Sequence, residues 1–533
     1  MANCGTTSPT ANRGKKLVNP GSRFTEVVLR ALDEVRLRAL KDMAEFWKIP
    51  YSLQSSPNPT HVVISSGQIS ETETENNKPM VVSPAGQDDA KKISQKFNLE
   101  FSVRKGLVRL PFSPSAKTAI IPVLYEFKGP GLETIIESNG IPILSRVKDS
   151  KVYLLSVDLA SEYDLRINGG LEDSPSLKFR LATRLPLSYK LIPSSIRNRA
   201  FRSADHPELN EEKLAPVECL RALFLASIVT VAESPVPRIG FWRRGKKFAL
   251  AVTHDVETKK GLLNGSQQLL GIEEDFRIRS TWNIITNRYP LTHQSLNSLA
   301  SSGEIGGHDT DHDGRLIFLP VHARIERLRS CREKLERISQ AKVRGFRAPL
   351  LQHDKALVAA VGKAGYEFDS SVPSWELLSP TSLKSHGVGT VFPFEIEGVL
   401  EVPVSLPQDH QLLRVSGMTT REAGDTLLRT SKWIRDIGGM CTLLVHPDYD
   451  FALEDQGKEY SRILRTFRED PLCEIITLGE ATDWWTLRRN SYLENSNGDL
   501  RVRSTATQEQ IKNLEMQAVT SYGSHGFSVE HLN

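Results

Sequence analysis

Within the stretch EIGGHDTDH, residues 304–312, two histidines stand four apart and enclose two aspartates. If this stretch is a loop, His308 and His312 can aim both imidazoles at one point and hold a divalent cation. A helical zinc-protease site has Glu directly after the first His; here Asp309 follows His308, and Gly306-Gly307 before it disfavours a helix start. The spacing alone also fits two solvated surface histidines, so the choice rests on what else the chain brings to the same place.

Further ionisable residues lie at one kind of position. Asp255, Glu257, His308, Arg347, Asp369 and His446 each fall at or just after the end of a short, largely apolar run. The runs are 248–252, 280–285, 399–404 and 440–445, with shorter ones before Arg347 and Asp369. Helical patterns separate them, over 325–338 and 355–363 among others. This β-α alternation over roughly 250 residues is the length of one barrel domain, and barrels of parallel strands gather their reactive groups at the strands' carboxyl ends. The expected fold class is α/β: a distorted (β/α) barrel over 236–490 with a separate N-terminal α/β domain.

The remainder divides by composition. Residues 1–20 are polar and basic and read as a disordered arm; 21–235 read as an α/β domain of unknown role. Inside it the periodicity predicts an amphipathic helix over 24–47, a polar linker at 54–82 with one strand-like run at 61–64, and a helix over 88–96. Strands are expected at 119–124, 141–144 and 152–157, a helix at 132–138, and a helix over 217–232 that packs between the two halves. No glycine-rich nucleotide-binding pattern occurs there. Trp484 and Trp485 read as barrel packing, and 491–533 as a polar C-terminal tail with a marginal helix at 508–516.

Composition limits the function classes. The chain has 533 residues, 39% hydrophobic and 25% charged, so it folds into sizeable cores, and its net charge of +4 gives no argument for nucleic acid. The five cysteines are scattered without a C-x-x-C pair, which argues against a disulfide framework and for a reducing compartment. No apolar signal region opens the sequence and no apolar run reaches bilayer length, so the expectation is a soluble, cytoplasmic protein without a transmembrane segment. Composition says nothing of oligomeric state.

In order along the chain, the motifs THDVE (253–257), HDTDH (308–312), GFRAP (345–349), GYEFDSS (365–371) and LLVHP (443–447) resemble those of the polysaccharide deacetylases, the NodB-homology carbohydrate esterases. The resemblance implies a barrel that hydrolyses N-acetyl groups on sugars with a divalent metal. Asp255 matches the catalytic base, His308 and His312 the imidazole ligands, Arg347 the partner of the base and His446 the general acid, with Asp369 its supporting carboxylate. The usual carboxylate after the base is Val256 here, so Glu257 becomes the third ligand, with Asp255 the alternative. A backbone N–H near Leu350 matches the oxyanion donor. His254 and Asp309 replace the family's residues beside the base and the first histidine, substitutions that could alter metal affinity or substrate preference. Zinc suits a His-His-carboxylate set with open positions, and cobalt, nickel or iron fit the same ligands. The expected partner is an amino sugar or glycan precursor. Two rivals remain: hydrolysis of another non-peptide C–N amide on the same barrel, and a catalytically silent glycan-binding module.

Overall fold

The computed structural model describes residues 24–54, 60–67, 69, 78–108, 119–138, 140–184, 215–448, 450–496, 499–521 and 527–532. The expected arm at 1–20 lies outside them, as do parts of the expected linker.

The N-terminal unit is built on strands β1 (Glu26–Ala31), β2 (Tyr51–Ser52), β3 (His61–Ser66), β4 (Met80–Ser83), β7 (Leu132–Ser138), β8 (Ile141–Val147) and β9 (Val152–Leu155), beside a hairpin of β5 (Glu100–Val108) and β6 (Ala119–Lys128). The sheet order is β2-β1-β3-β4-β9-β8-β7, parallel from β2 to β9 and antiparallel beyond. Both faces are covered. Val27, Leu29, Val62 and Ile64 pack under the helices Glu34–Trp47, Leu159–Gly170 and Pro216–Val231, while Val28, Val63 and Val82 meet Ala90, Ile93, Tyr125 and Phe127.

Three expectations are corrected here. The helix expected over 24–47 is strand β1 followed by a helix that starts only after Asp33, whose side chain caps the Arg36 N–H at 2.9 Å. The segment read as a linker contributes β3 and β4, both wholly buried. Strands covered on both faces lose the alternation that marks a half-buried strand. The helix expected at 132–138 is β7, hairpin-paired to β8 across Gly140 at φ 75°. Its β-branched run Thr134-Ile135-Ile136 favours the pleat over the helix.

After β10 (Val236–Ile239), the barrel strands are β11 (Phe248–Val256), β12 (Thr281–Ile284), β13 (Glu304–Gly307), β14 (Gly345–Phe346), β15 (Phe368–Asp369), β16 (Phe394–Ile396), β17 (Val399–Glu401), β18 (Met440–Leu444) and β19 (Cys473–Ile475). Their order is β16-β17-β15-β14-β13-β12-β11-β18, with β19 on β11, and every pair except β16–β17 is parallel. The ladder does not close on itself. Instead the chain after β17 lies along β18, where the Leu406 N–H bonds the Thr442 carbonyl and the Ser405 hydroxyl bonds the Met440 carbonyl. The barrel is distorted at that seam.

Residues 491–532 are no trailing tail. They form β20 (Ser491–Ser496), β21 (Asp499–Ser504), β22 (Met516–Ser521) and β23 (Phe527–Leu532), and β22 pairs with β10. The marginal helix expected there is one turn, Gln508–Ile511. Buried Arg488 joins the units: its guanidinium donates to the carbonyls of Phe46, Ile239 and Gly240. Helix Pro216–Val231 lies between the halves as expected, its Glu218 accepting from Thr390 and Val391 of the barrel. Among the described residues, no helix is long and apolar enough to cross a membrane.

Candidate active site

Strand geometry decides which side chains share the barrel mouth. On β11, Thr253 and Asp255 face one way and His254 and Val256 the other, as alternation requires. Asp255 pairs in register with Asn283 of β12, so the Asn283 amide donates to Asp255 Oδ1 at 2.8 Å. Arg347 donates to the same oxygen at 3.2 Å. Its guanidinium is fixed by further bonds to the Thr253 hydroxyl, the Ser370 carbonyl and the Ser370 hydroxyl, each 2.8 Å. Burial pushes the Asp255 carboxyl up, but the cations Arg347 and His446 and the Asn283 hydrogen bond outweigh it and hold the group below its ordinary range. Asp255 is a buried, ionised carboxylate.

The 308–312 stretch is a loop, as its glycines predict. Gly306 and Gly307 are there for close approach, since a Cβ would fall 2.2 Å from Asn283 Oδ1 at the first and 2.5 Å from the Tyr366 hydroxyl at the second. Asp309 (φ 67°) and His312 (φ 46°) take the left-handed conformation, a strain of roughly 1 kcal/mol or more for each non-glycine residue. Arg327, from the helix Val321–Ser339, holds that turn with two bonds to the Asp309 carboxylate, 2.7 and 2.6 Å, and two more to Asp313. The Asp309 carbonyl accepts from the Thr286 N–H and the Cys331 thiol.

This loop presents the two imidazoles together. His308 donates from Nδ1 to the Arg347 carbonyl at 2.7 Å, which leaves the Nε2 lone pair buried, without a hydrogen-bond partner, and 3.9 Å from Asp255 Oδ2. Burial pushes His308 down to about 4, so the ring is neutral. His312 Nε2 lies 3.0 Å from Glu257 Oε1. One ligand atom each from Glu257, His308 and His312 falls within 4.8 Å of the others, two imidazole nitrogens and a carboxylate oxygen on one point. That donor set, with its orphaned buried Nε2, fits a divalent ion with open positions. Of the two carboxylates left open for the third place, it is Glu257 that shares this cluster.

His446 lies across from the loop. Asp409 grips it twice, Oδ1 with the ring Nδ1 at 2.6 Å and Oδ2 with the backbone N–H at 2.8 Å. Burial opposes the charge, yet Asp409, then Glu257 and Asp255, push His446 up to about 10. The ring is an imidazolium at neutral pH, with Nε2 3.9 Å from Glu257 Oε1. The cluster of Glu257, His308 and His312, the ionised Asp255 carboxylate and the charged His446 ring thus meet at the carboxyl ends of the strands.

No protein-family model matches the sequence, and no curated protein does. Solved structures do align with the barrel half. A candidate polysaccharide deacetylase from Mycobacterium smegmatis is similar at 20% identity and a TM-score of 0.40, over 45% of this chain and 91% of that one. The peptidoglycan deacetylase PdaC from Bacillus subtilis is similar at 13% identity and a TM-score of 0.32, over 46% and 94%. PuuE allantoinase is similar at 12% identity and a TM-score of 0.37, over 46% and 93%. In its motifs, this half resembles the polysaccharide deacetylases.

The geometry reassigns several residues. Asp369 was expected to support His446, but that task falls to Asp409. Asp369 stands in register with Glu401 of β17, accepts from the Ser371 hydroxyl at 2.7 Å, and is raised by burial to about 6. Glu401 is raised well above its ordinary value by burial and by Asp369, so the pair shares a proton. His254 faces away from the cluster: it bonds Glu273 and the Val445 carbonyl and stacks on Trp282 at 4.1 Å, a packing role. Asp309 braces the loop through Arg327. Trp484 and Trp485 are buried against Phe241 and Trp242, as packing predicts.

Asn283, Asp409 and Asp448 went unread. Asp448 accepts from the Glu257 N–H at 2.9 Å and from the Thr258 hydroxyl, which sets the backbone of the third ligand candidate. Gly261 and Gly265, in the π-helical turn Gly261–Gly265, let this His-Pro-Asp segment approach. Asp409 carried the one available signal, an acid in the loop that follows the apolar run 399–404.

Proposed function

We propose that the barrel is a metal-dependent hydrolase that removes an N-acetyl or similar acyl group from an amino sugar. The observation that carries this reading is the convergence of Glu257, His308 and His312 within 4.8 Å, flanked by an ionised Asp255 and a charged His446. Bound by those three side chains, zinc or a similar ion would supply Lewis-acid polarisation of the acyl carbonyl and of water. Asp255, kept ionised by Arg347 and oriented by Asn283, takes the proton of the attacking water. His446, kept charged by Asp409, gives a proton to the departing amine. Leu350 and Leu351, held at φ 61° and 48° after Arg347, offer the strained turn from which a backbone N–H meets the developing oxyanion.

The test is acetate release from a panel of N-acetylated amino sugars by the zinc-loaded full chain and by Asp255→Asn. Loss of a positioned base lowers kcat by about 100-fold or more. Equal rates for the two proteins would exclude catalysis at this site and leave a glycan-binding module. Turnover of small linear or cyclic amides but of no sugar would keep the barrel chemistry and change the substrate.

A further inference from the structure

A second set of metal-type side chains lies outside this site, where the N-terminal half meets the barrel. One ligand atom each from Asp173, His353 and His386 falls within 4.8 Å of the others, and all three side chains are buried. Asp173 belongs to the segment between the helices Leu159–Gly170 and Leu177–Arg184; His353 lies just beyond the Arg347 loop, and His386 lies between β15 and β16.

In each of the three, one polar atom is anchored and the other is not. Asp173 Oδ2 accepts from the Ser379 hydroxyl, and Oδ1 has no partner. His353 Nδ1 donates to the Leu351 carbonyl at 2.8 Å, and Nε2 has no partner. His386 Nε2 is 3.3 Å from a carboxylate oxygen of Glu376, to which it donates, and Nδ1 has no partner. Hydrogen-bonded outer partners of this kind fix the tautomer of metal-ligating histidines. The result is a buried site in which one imidazole nitrogen from each histidine and a carboxylate oxygen lie within 4.8 Å of one another, with His386 Nδ1 and Asp173 Oδ2 3.8 Å apart, too far for a hydrogen bond. The rings stand parallel, centroids 5.3 Å apart and 10° between planes. Each of the three residues thus brings a polar atom without a hydrogen-bond partner to one buried place, a donor set that a divalent ion fits.

We propose that Asp173, His353 and His386 bind a second divalent transition-metal ion, zinc by the chemistry of the set, in a structural site that clamps the N-terminal half onto the barrel. The site is independent of the catalytic reading. It also bears on the active-site loop: Gln352, next to His353, donates to the Gly314 carbonyl, two residues past His312, and to Thr381. The Asp173 N–H bonds the His353 carbonyl and the Ser176 N–H the Thr381 carbonyl, so the same strand of chain is already laid against both loops.

The experiment counts zinc per full-length chain by native mass spectrometry after chelation and reloading. Wild type is expected to take two equivalents and His308→Ala/His312→Ala one. Adding His353→Gln or Asp173→Asn to that double variant is expected to leave none. Cobalt(II) added to His308→Ala/His312→Ala, whose second site is unaltered, is expected to give the intense visible absorption of a four-coordinate nitrogen and oxygen site, and zinc to raise its melting temperature. One equivalent in wild type and none in His308→Ala/His312→Ala, no cobalt band in that variant, or full retention of its zinc after His353→Gln and Asp173→Asn would each overturn the proposal.

Discussion

At the scale of single residues, the site is a set of pKa values pushed apart by neighbours a few ångströms away. His446 is charged because Asp409 overrides burial, so Asp409→Asn should move the alkaline limb of the kcat/KM profile to lower pH and reduce activity roughly 100-fold at neutral pH. A pH profile superimposable on wild type would remove Asp409 from the mechanism. Asp369 and Glu401 pull in the other direction. Asp369 titrates at about 6 in the fold against an ordinary 3.8, so the folded state binds more protons between those values and loses stability as pH rises through them. Glu401→Gln removes the second carboxylate while keeping an acceptor for the Val372 N–H. Because burial and Asp369 raise the Glu401 carboxyl well above its ordinary value, its loss should make stability fall less as pH rises and add on the order of 1 kcal/mol at pH 7.5, read from denaturant melts across pH.

At the scale of elements, helix Val321–Ser339 acts on the metal-type cluster without touching it. Arg327 holds Asp309 in the left-handed conformation that places His308 and His312 on one side of their loop. Arg327→Met would leave the buried Asp309 carboxylate unpaired and free the turn. Zinc affinity should then fall about 10- to 100-fold, in line with other supporting residues of metal sites, as measured by competition with a chromophoric chelator. An unchanged affinity would mean that the loop holds its shape without the helix.

At the scale of the whole molecule, the two halves are joined through buried polar contacts. Arg488 satisfies three carbonyls, those of Phe46, Ile239 and Gly240, at 2.8 to 3.1 Å. Arg488→Ala strands all three, and at about 1–3 kcal/mol for each buried unsatisfied group the loss of stability should reach about 3 kcal/mol or more. Equilibrium denaturation measures it directly, and a shift below 1 kcal/mol would show that water or local rearrangement replaces the guanidinium. The pairing of β22 with β10 makes the same point at the backbone, because the last described strands complete a sheet begun near the start of the barrel.

Read alone, the order of residues was enough for the barrel and for most of the side chains gathered at its mouth. His308, His312, Asp255, Arg347 and His446 each follow an apolar strand, and parallel strands direct their carboxyl ends to one mouth whatever the intervening helices do. The exchange of Asp369 for Asp409, the bond from Asn283 and the grouping of Asp173 with His353 and His386 needed the tertiary structure. Each depends on strand register or on loops from distant parts of the chain meeting in space, and neither leaves a local period to read. The buried parallel strands β1, β3 and β4 were hidden for the complementary reason: covered on both faces, they carry no alternation that could set them apart from helix or loop.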